Sequence, residues 1–112
     1  VINVFLDDYR HCPEGFVWAK TAAECIELLE HCQVDILSLD YDLGWGEPTG
    51  YEVTLYMVKH QRYPRAIYLH TSSPTGRMNM YHLLASHIPK RVELYAYAVP
   101  GYVLEQIRRD KK

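Results

Sequence analysis

Short apolar runs alternate with stretches of helical period along nearly the whole chain. Ile2 to Leu6 is rich in β-branched and aromatic residues and ends in Asp7-Asp8, which predicts a strand with an acidic carboxyl end. Phe16 to Ala19 predicts a brief second strand. Val34 to Leu39 is almost continuously apolar and runs into Asp40, Asp42 and Gly44. Flanked by helical patterns, such a run predicts a strand buried on both faces, as in parallel sheets. Ala66 to Leu69 repeats this signature, and Val92 to Val99 makes a last strand.

The helices between them are marked by their ends. Thr21-Ala22-Ala23-Glu24 has the spacing of a capping box, and Ala22, Cys25, Ile26 and Leu29 form one stripe to about Cys32. Thr49-Gly50-Tyr51-Glu52 repeats that spacing, with Val53, Tyr56, Met57 and His60 facing inward and Pro64 as the stop. Met80, Leu83, Leu84 and His87 form the stripe of a third helix closed by Pro89. Pro100 suits the start of a fourth, with Val103, Leu104 and Ile107 inward and the basic Arg108–Lys112 end in solvent. Strands alternating with helices in this way predict an α/β domain of three layers, built on a five-stranded parallel sheet of the flavodoxin-like kind. Tyr9 to Gly15, with Pro13, is too short for an ordinary crossover helix, so the first helix is expected to be short or missing.

Composition narrows the possibilities. At 112 residues, 48% hydrophobic and 23% charged, the chain is expected to be one domain over 1–112 with a single core. A net charge of −2 argues against a general DNA-binding surface. The absence of an apolar run of about 18 residues argues against a membrane span. Cys12, Cys25 and Cys32 are an odd set without CxxC spacing, which predicts free thiols and a cytoplasmic location. Ten tyrosines without regular spacing read as packing and surface.

Candidate chemistry lies where three strand ends converge, the usual ligand crevice of an open α/β sheet. Asp7, Asp8 and Asp40 make a plausible site for a hard cation such as Mg²⁺ or Mn²⁺, because clustered carboxylates repel unless a cation sits among them. The competing reading is that one of them caps a loop or pairs with Arg10. Asp42 is the weaker candidate. Thr71, Ser72, Gly76 and Arg77 suit an anion: two hydroxyls, a glycine allowing close backbone approach, helix-start amides and a guanidinium. His70, just before them, reads equally as a core histidine or a general acid–base. Gly44-Trp45-Gly46 lacks the spacing of a dinucleotide fingerprint, and Trp45 is expected to fold onto its own domain.

The order of these pieces resembles a response-regulator receiver domain: Asp7-Asp8 match its acidic pair, Asp40 its phospho-accepting aspartate, and Thr71 or Ser72 its hydroxyl position. Val99 precedes Pro100 where receivers carry a lysine. A closer resemblance is to the cyclic-phosphate-processing receiver-like family. It rests on Leu6-Asp7-Asp8, Ser38-Leu39-Asp40-Tyr41-Asp42-Leu43-Gly44, Thr49-Gly50-Tyr51 and His70-Thr71-Ser72-Ser73-Pro74-Thr75-Gly76-Arg77-Met78-Asn79-Met80. Tyr41 stands where that family's pattern has histidine, and Ser73 where it has asparagine.

The resemblance implies a Mg²⁺-assisted phosphoesterase-like domain for a small cyclic phosphate or a nucleotide or RNA end. Asp7, Asp8 and Asp40 would hold the metal, and Arg77, Thr71 and Ser72 the phosphate. His70 and Asp42 would handle protons and water, with Asp40 as a possible nucleophile. The alternatives are a receiver or pseudo-receiver that accepts phosphate on Asp40 or docks a protein partner, and a protein that sequesters a nucleotide.

Overall fold

The computed structural model describes residues 1–111. Its elements run β1 (Ile2–Leu6), β2 (Val17–Ala19), α1 (Ala22–His31), β3 (Val34–Leu39), α2 (Gly50–His60), β4 (Ala66–Leu69), α3 (Pro74–Ala85), β5 (Glu93–Tyr95) and α4 (Gly101–Asp110). All five strands are parallel, in the order β2-β1-β3-β4-β5. The expected α/β architecture is therefore present, and no helix lies between β1 and β2. None of the helices among the described residues is long and apolar enough to cross a membrane.

Strand alternation divides the sheet's side chains between two unequal layers. Val4, Leu6, Leu37, Leu39, Ile67 and Leu69 point to the face covered by α1, α2 and α3, where the main core forms with Cys25, Leu29, Val53, Met57, Met80 and Leu84. Ile36, Ala66 and Tyr68 point to the other face, where Phe16, Tyr95, Val99, Val103 and Ile107 pack on them. With no first crossover helix, α4 is the one helix on that side among the described residues, and none of its residues is fully buried.

The end signals of the helices are realised unevenly. Around α1 the capping box closes: Glu24 N–H donates to Thr21 Oγ1, and Glu24 Oε1 accepts from Thr21 N–H. At α2 the box does not form, and Thr49 acts as a simple N-cap, its Oγ1 accepting from Tyr51 N–H at 3.3 Å. His60 and His87, both expected to face inward, are exposed. His60 stacks against Tyr56 on the surface as α2 ends at Gln61, whose φ of 53° is left-handed. The third helix stops at Ala85, so His87 lies beyond its apolar stripe. β5 spans Glu93–Tyr95 rather than Val92–Val99, because its partner β4 offers only four residues to pair with.

Candidate active site

Asp7 and Asp8 follow β1, Asp40 and Asp42 follow β3, and His70 with the Thr71–Arg77 segment follows β4, all at the carboxyl edge of the sheet. Backbone contacts fix Asp40. Its N–H donates to Leu6 O at 3.0 Å, and Gly50 N–H donates to Tyr41 O at 2.8 Å. The first turn of α2 comes so near that a Cβ at Gly50 would collide with the Asp40 carbonyl, an approach that only glycine permits.

Asp7 is wholly buried and accepts four hydrogen bonds. Its Oδ1 takes the backbone N–H groups of Tyr9 and Arg10, each at 3.0 Å. Its Oδ2 takes Arg10 Nη1 and His70 Nε2, each at 2.9 Å. Burial alone would raise its pKa, but the Arg10 and Tyr9 amides, the guanidinium and the imidazole outweigh it and hold the carboxyl at about 2. Trp18 Nε1 on β2 pins the Asp7 carbonyl at 2.8 Å.

The same Arg10 Nη1 lies 3.1 Å from Asp40 Oδ2, so one guanidinium bridges two strand ends. Asp40 Oδ1 accepts the Tyr41 N–H at 2.8 Å. Burial nevertheless pushes the Asp40 carboxyl above its ordinary range; the Thr71 hydroxyl opposes this and the charge on Asp7 adds to it. Two carboxylates on one guanidinium are thus driven in opposite directions.

His70 is part of this network, with its side chain 5% exposed and stacked on Phe5 at a centroid distance of 4.6 Å. Nε2 faces a carboxylate that can only accept, which assigns the proton to Nε2 and leaves Nδ1 to accept from Ser38 Oγ–H at 2.6 Å. Burial lowers the imidazole pKa against the pull of Asp7, so the ring is mostly neutral at pH 7.

In front of this buried network lies an open cavity of about 140 Å³, lined by Asp8, Asp40, Asp42 and Ser72 together with Tyr9, Arg10 and Gly44. Asp42 is exposed, with Oδ1 held by the Gly44 N–H at 3.0 Å. A second donor set stands behind the cavity, since ligand atoms of Asp7, Asp40 and His70 lie within 4.8 Å of one another. Arg10 Nη1 already bonds the two carboxylates of that set.

A family described as cyclic-phosphate processing receiver domain matches residues 2–86. The chain belongs to this family. No curated protein matches it. One similar solved structure, described as the yeast Spc42 trimeric coiled coil (amino acids 181–211) fused to another structure, has 15% identity and a TM-score of 0.55. The alignment covers 96% of this chain and 78% of that one, and at such identity the likeness concerns the fold alone.

In this receiver domain every residue lining the carboxylate cavity falls inside the matched stretch, whereas β5 and α4 lie beyond it. The structure brings Asp8, Asp40, Asp42 and Ser72 together and sets Asp7 and His70 behind them. Gly76 and Arg77 are used differently from the sequence expectation. Arg77 Nη1 donates to Thr71 O at 2.7 Å and does not line the cavity. Gly76 lies buried beneath Tyr41, whose ring a Cβ would strike, so the missing side chain makes room for that ring. Ser73 Oγ accepts the Gly76 N–H, and buried Thr71 accepts the Ser73 N–H, so those amides are already engaged. Trp45, expected to fold back, is fully exposed.

The competing sequence reading, an acid paired with Arg10, is realised at both Asp7 and Asp40, because the chain between β1 and β2 stays a loop that lets one guanidinium reach both. The contact of Ser38 with His70 was not anticipated, although Ser38 carried a signal. It stands two residues before Asp40, on the same face of a buried strand, where a hydroxyl needs a partner.

Proposed function

We propose that this receiver domain binds a small cyclic phosphate and hydrolyses it with the help of Mg²⁺ or Mn²⁺. The observation that supports this most directly is the shared cavity of Asp8, Asp40, Asp42, Arg10 and Ser72. The residues fit a hard divalent ion on charge and donor type. Arg10 bonds Asp7 and Asp40, and Asp8 and Asp42 line the same cavity as Asp40 with no second guanidinium in its lining, so carboxylate charge is in excess and the donors are the oxygens such ions prefer. Asp8 and Asp40, with Asp42 beside them, would hold the ion in the open cavity. Asp7, the third ligand expected from sequence, is committed to Arg10, His70 and two amides, and its part is to hold that cation in place.

A bound divalent ion would neutralise phosphate oxygens as the charge on phosphorus grows. Arg10 and the Ser72 hydroxyl take up the rest of that charge from the cavity wall. Asp42, anchored through one oxygen, orients the attacking water and accepts its proton. The new bond joins water oxygen to phosphorus, one ring ester bond breaks, and the released alkoxide takes a proton from solvent water while Asp42 gives the one it accepted back to solvent, leaving a phosphomonoester. His70 acts through Asp7, and Arg77 through the Thr71 carbonyl that precedes Ser72. Asp40 differs from Asp7 in that it lines the open cavity, where each of its oxygens carries one hydrogen bond and keeps a lone pair for an ion.

Phosphorus NMR of a panel of 2′,3′-cyclic nucleotides with Mg²⁺, with Mn²⁺ and with EDTA tests this reading. We expect metal-dependent conversion to monoesters, lost in Asp8→Asn and Asp40→Asn. No conversion anywhere in the panel would overturn the hydrolytic reading. Mass gain on Asp40 after incubation with acetyl phosphate would make the domain a phosphate acceptor instead, and binding without turnover a sequestering protein.

A further inference from the structure

Arg10 lines two cavities. Besides the acidic one, it borders a separate, largely apolar cavity of about 210 Å³ on the α4 side of the sheet, walled by Phe5, Val99 and Leu104 with Ser38 and His70 at its polar edge. This space exists because no crossover helix follows β1 and because α4 sits on the sheet without burying any residue completely. Nothing in the metal-and-phosphate chemistry uses it.

We propose that this cavity is the base-binding half of the site, and that the substrate is a nucleoside cyclic phosphate whose base enters beneath α4 while its phosphate meets Asp8, Asp40 and Ser72. The proposal rests on the phosphate reading above and adds the substrate class. Three features of the cavity carry it. It adjoins the phosphate cavity, since the Arg10 side chain lines both, and a ligand lying along that side chain would have its phosphate in one and its base in the other. At about 210 Å³ it is below the roughly 300–1,000 Å³ of drug-sized sites and suits one ring system rather than a long acyl chain. Its polar groups are complementary to a heteroaromatic edge. Ser38 Oγ gives its hydrogen to His70 Nδ1 and keeps lone pairs for a ring or exocyclic N–H. Arg10 uses Nη1 for both carboxylates and has further N–H groups to offer a ring nitrogen or carbonyl. An apolar surround with a few placed donors and acceptors is how small-molecule sites fix a ligand's orientation.

Calorimetry on the full chain, with Ca²⁺ in place of Mg²⁺ and phosphorus NMR checking that no ester is hydrolysed during the titration, would compare 2′,3′-cyclic AMP and 2′,3′-cyclic UMP with glycerol 1,2-cyclic phosphate, which has no base. Burying a base favours a cyclic nucleotide by about tenfold or more over the glycerol ester. Val99→Trp, which fills the cavity, brings that ratio close to one; Leu104→Phe serves if the first variant does not fold. Equal affinities in the wild type, or a ratio that both variants leave intact, overturn the proposal. If none of the phosphates binds, the phosphate reading fails by itself. Free adenosine and uridine then decide the base site: methyl NMR shifts at Val99 and Leu104 support it, and their absence overturns it.

Discussion

Replacing Asp7 by Asn probes the buried network with little change of shape. The wild-type carboxyl sits at about 2 against an ordinary 3.8. That difference corresponds to about 2.5 kcal/mol of stability at pH 7. Asn adds a second cost. Its amide nitrogen must face either Arg10 Nη1 and His70 Nε2–H or the Tyr9 and Arg10 backbone N–H groups, and all of these are donors. Leaving such groups unpaired costs about 1–3 kcal/mol, so a total loss of about 3.5–5.5 kcal/mol is expected at pH 7. Out of a typical 5–15 kcal/mol, that is a large fraction.

The sign of the pH dependence follows from the depressed carboxyl. Its contribution is complete well above 3.8 and is lost as pH falls through about 2, with about half left at pH 3. Asp40, raised first by burial, acts in the opposite sense and is relieved by acid; the burial part is common to both proteins and cancels, while the smaller part due to the Asp7 charge is absent from the variant. Urea unfolding of both proteins in EDTA buffer at pH 7, 5 and 3, followed by tryptophan fluorescence, measures the gap. It should narrow by about 1 kcal/mol between pH 5 and 3. A gap that stays constant to pH 3, or one below about 1 kcal/mol at pH 7, would refute the reasoning.

Two further outcomes are expected. Gly76→Ala should destabilise the domain by about 1–3 kcal/mol by displacing the Tyr41 ring, despite alanine's helix preference, and Tyr41→Ala in the same chain should reverse most of that loss; a stabilised Gly76→Ala single variant in chemical denaturation would show the contact to be soft. Amides of α4 should exchange with deuterium well before those of α1, α2 and α3, because α4 has no fully buried residue; equal protection would show that α4 opens only with the whole domain.

The strands and helices that carry the site were legible because their signals are local. β3 is a run of apolar residues broken only by Asp35 and Ser38, and α1 opens with a capping box that forms as read. Other features depend on partners distant in sequence. β5 has the apolar composition of a longer strand, yet pairing ends at Tyr95 opposite Tyr68, and Tyr97 instead joins an aromatic cluster with both. The acidic cluster was visible as Asp7, Asp8, Asp40 and Asp42, but their division of labour was not. Which carboxylates face the cavity and which face inward depends on where Arg10 lands, and Arg10 belongs to a loop without periodicity. Gly76 was recognised as needing space on one side, while the ring that fills that space comes from a residue thirty-five positions earlier, Tyr41.

The two cavities draw on different parts of the polypeptide. Residues 8 to 72 line the acidic one, all within the stretch shared with the family, while the outer wall of the apolar one comes from Ala98, Val99 and Leu104 beyond it. If the acidic cavity carries the proposed chemistry and the apolar one the proposed base, substitutions around Pro100 retune what is accepted without touching an acid. A chimera that exchanges only the segment after residue 86 between two relatives should carry ligand preference with it and leave metal dependence behind.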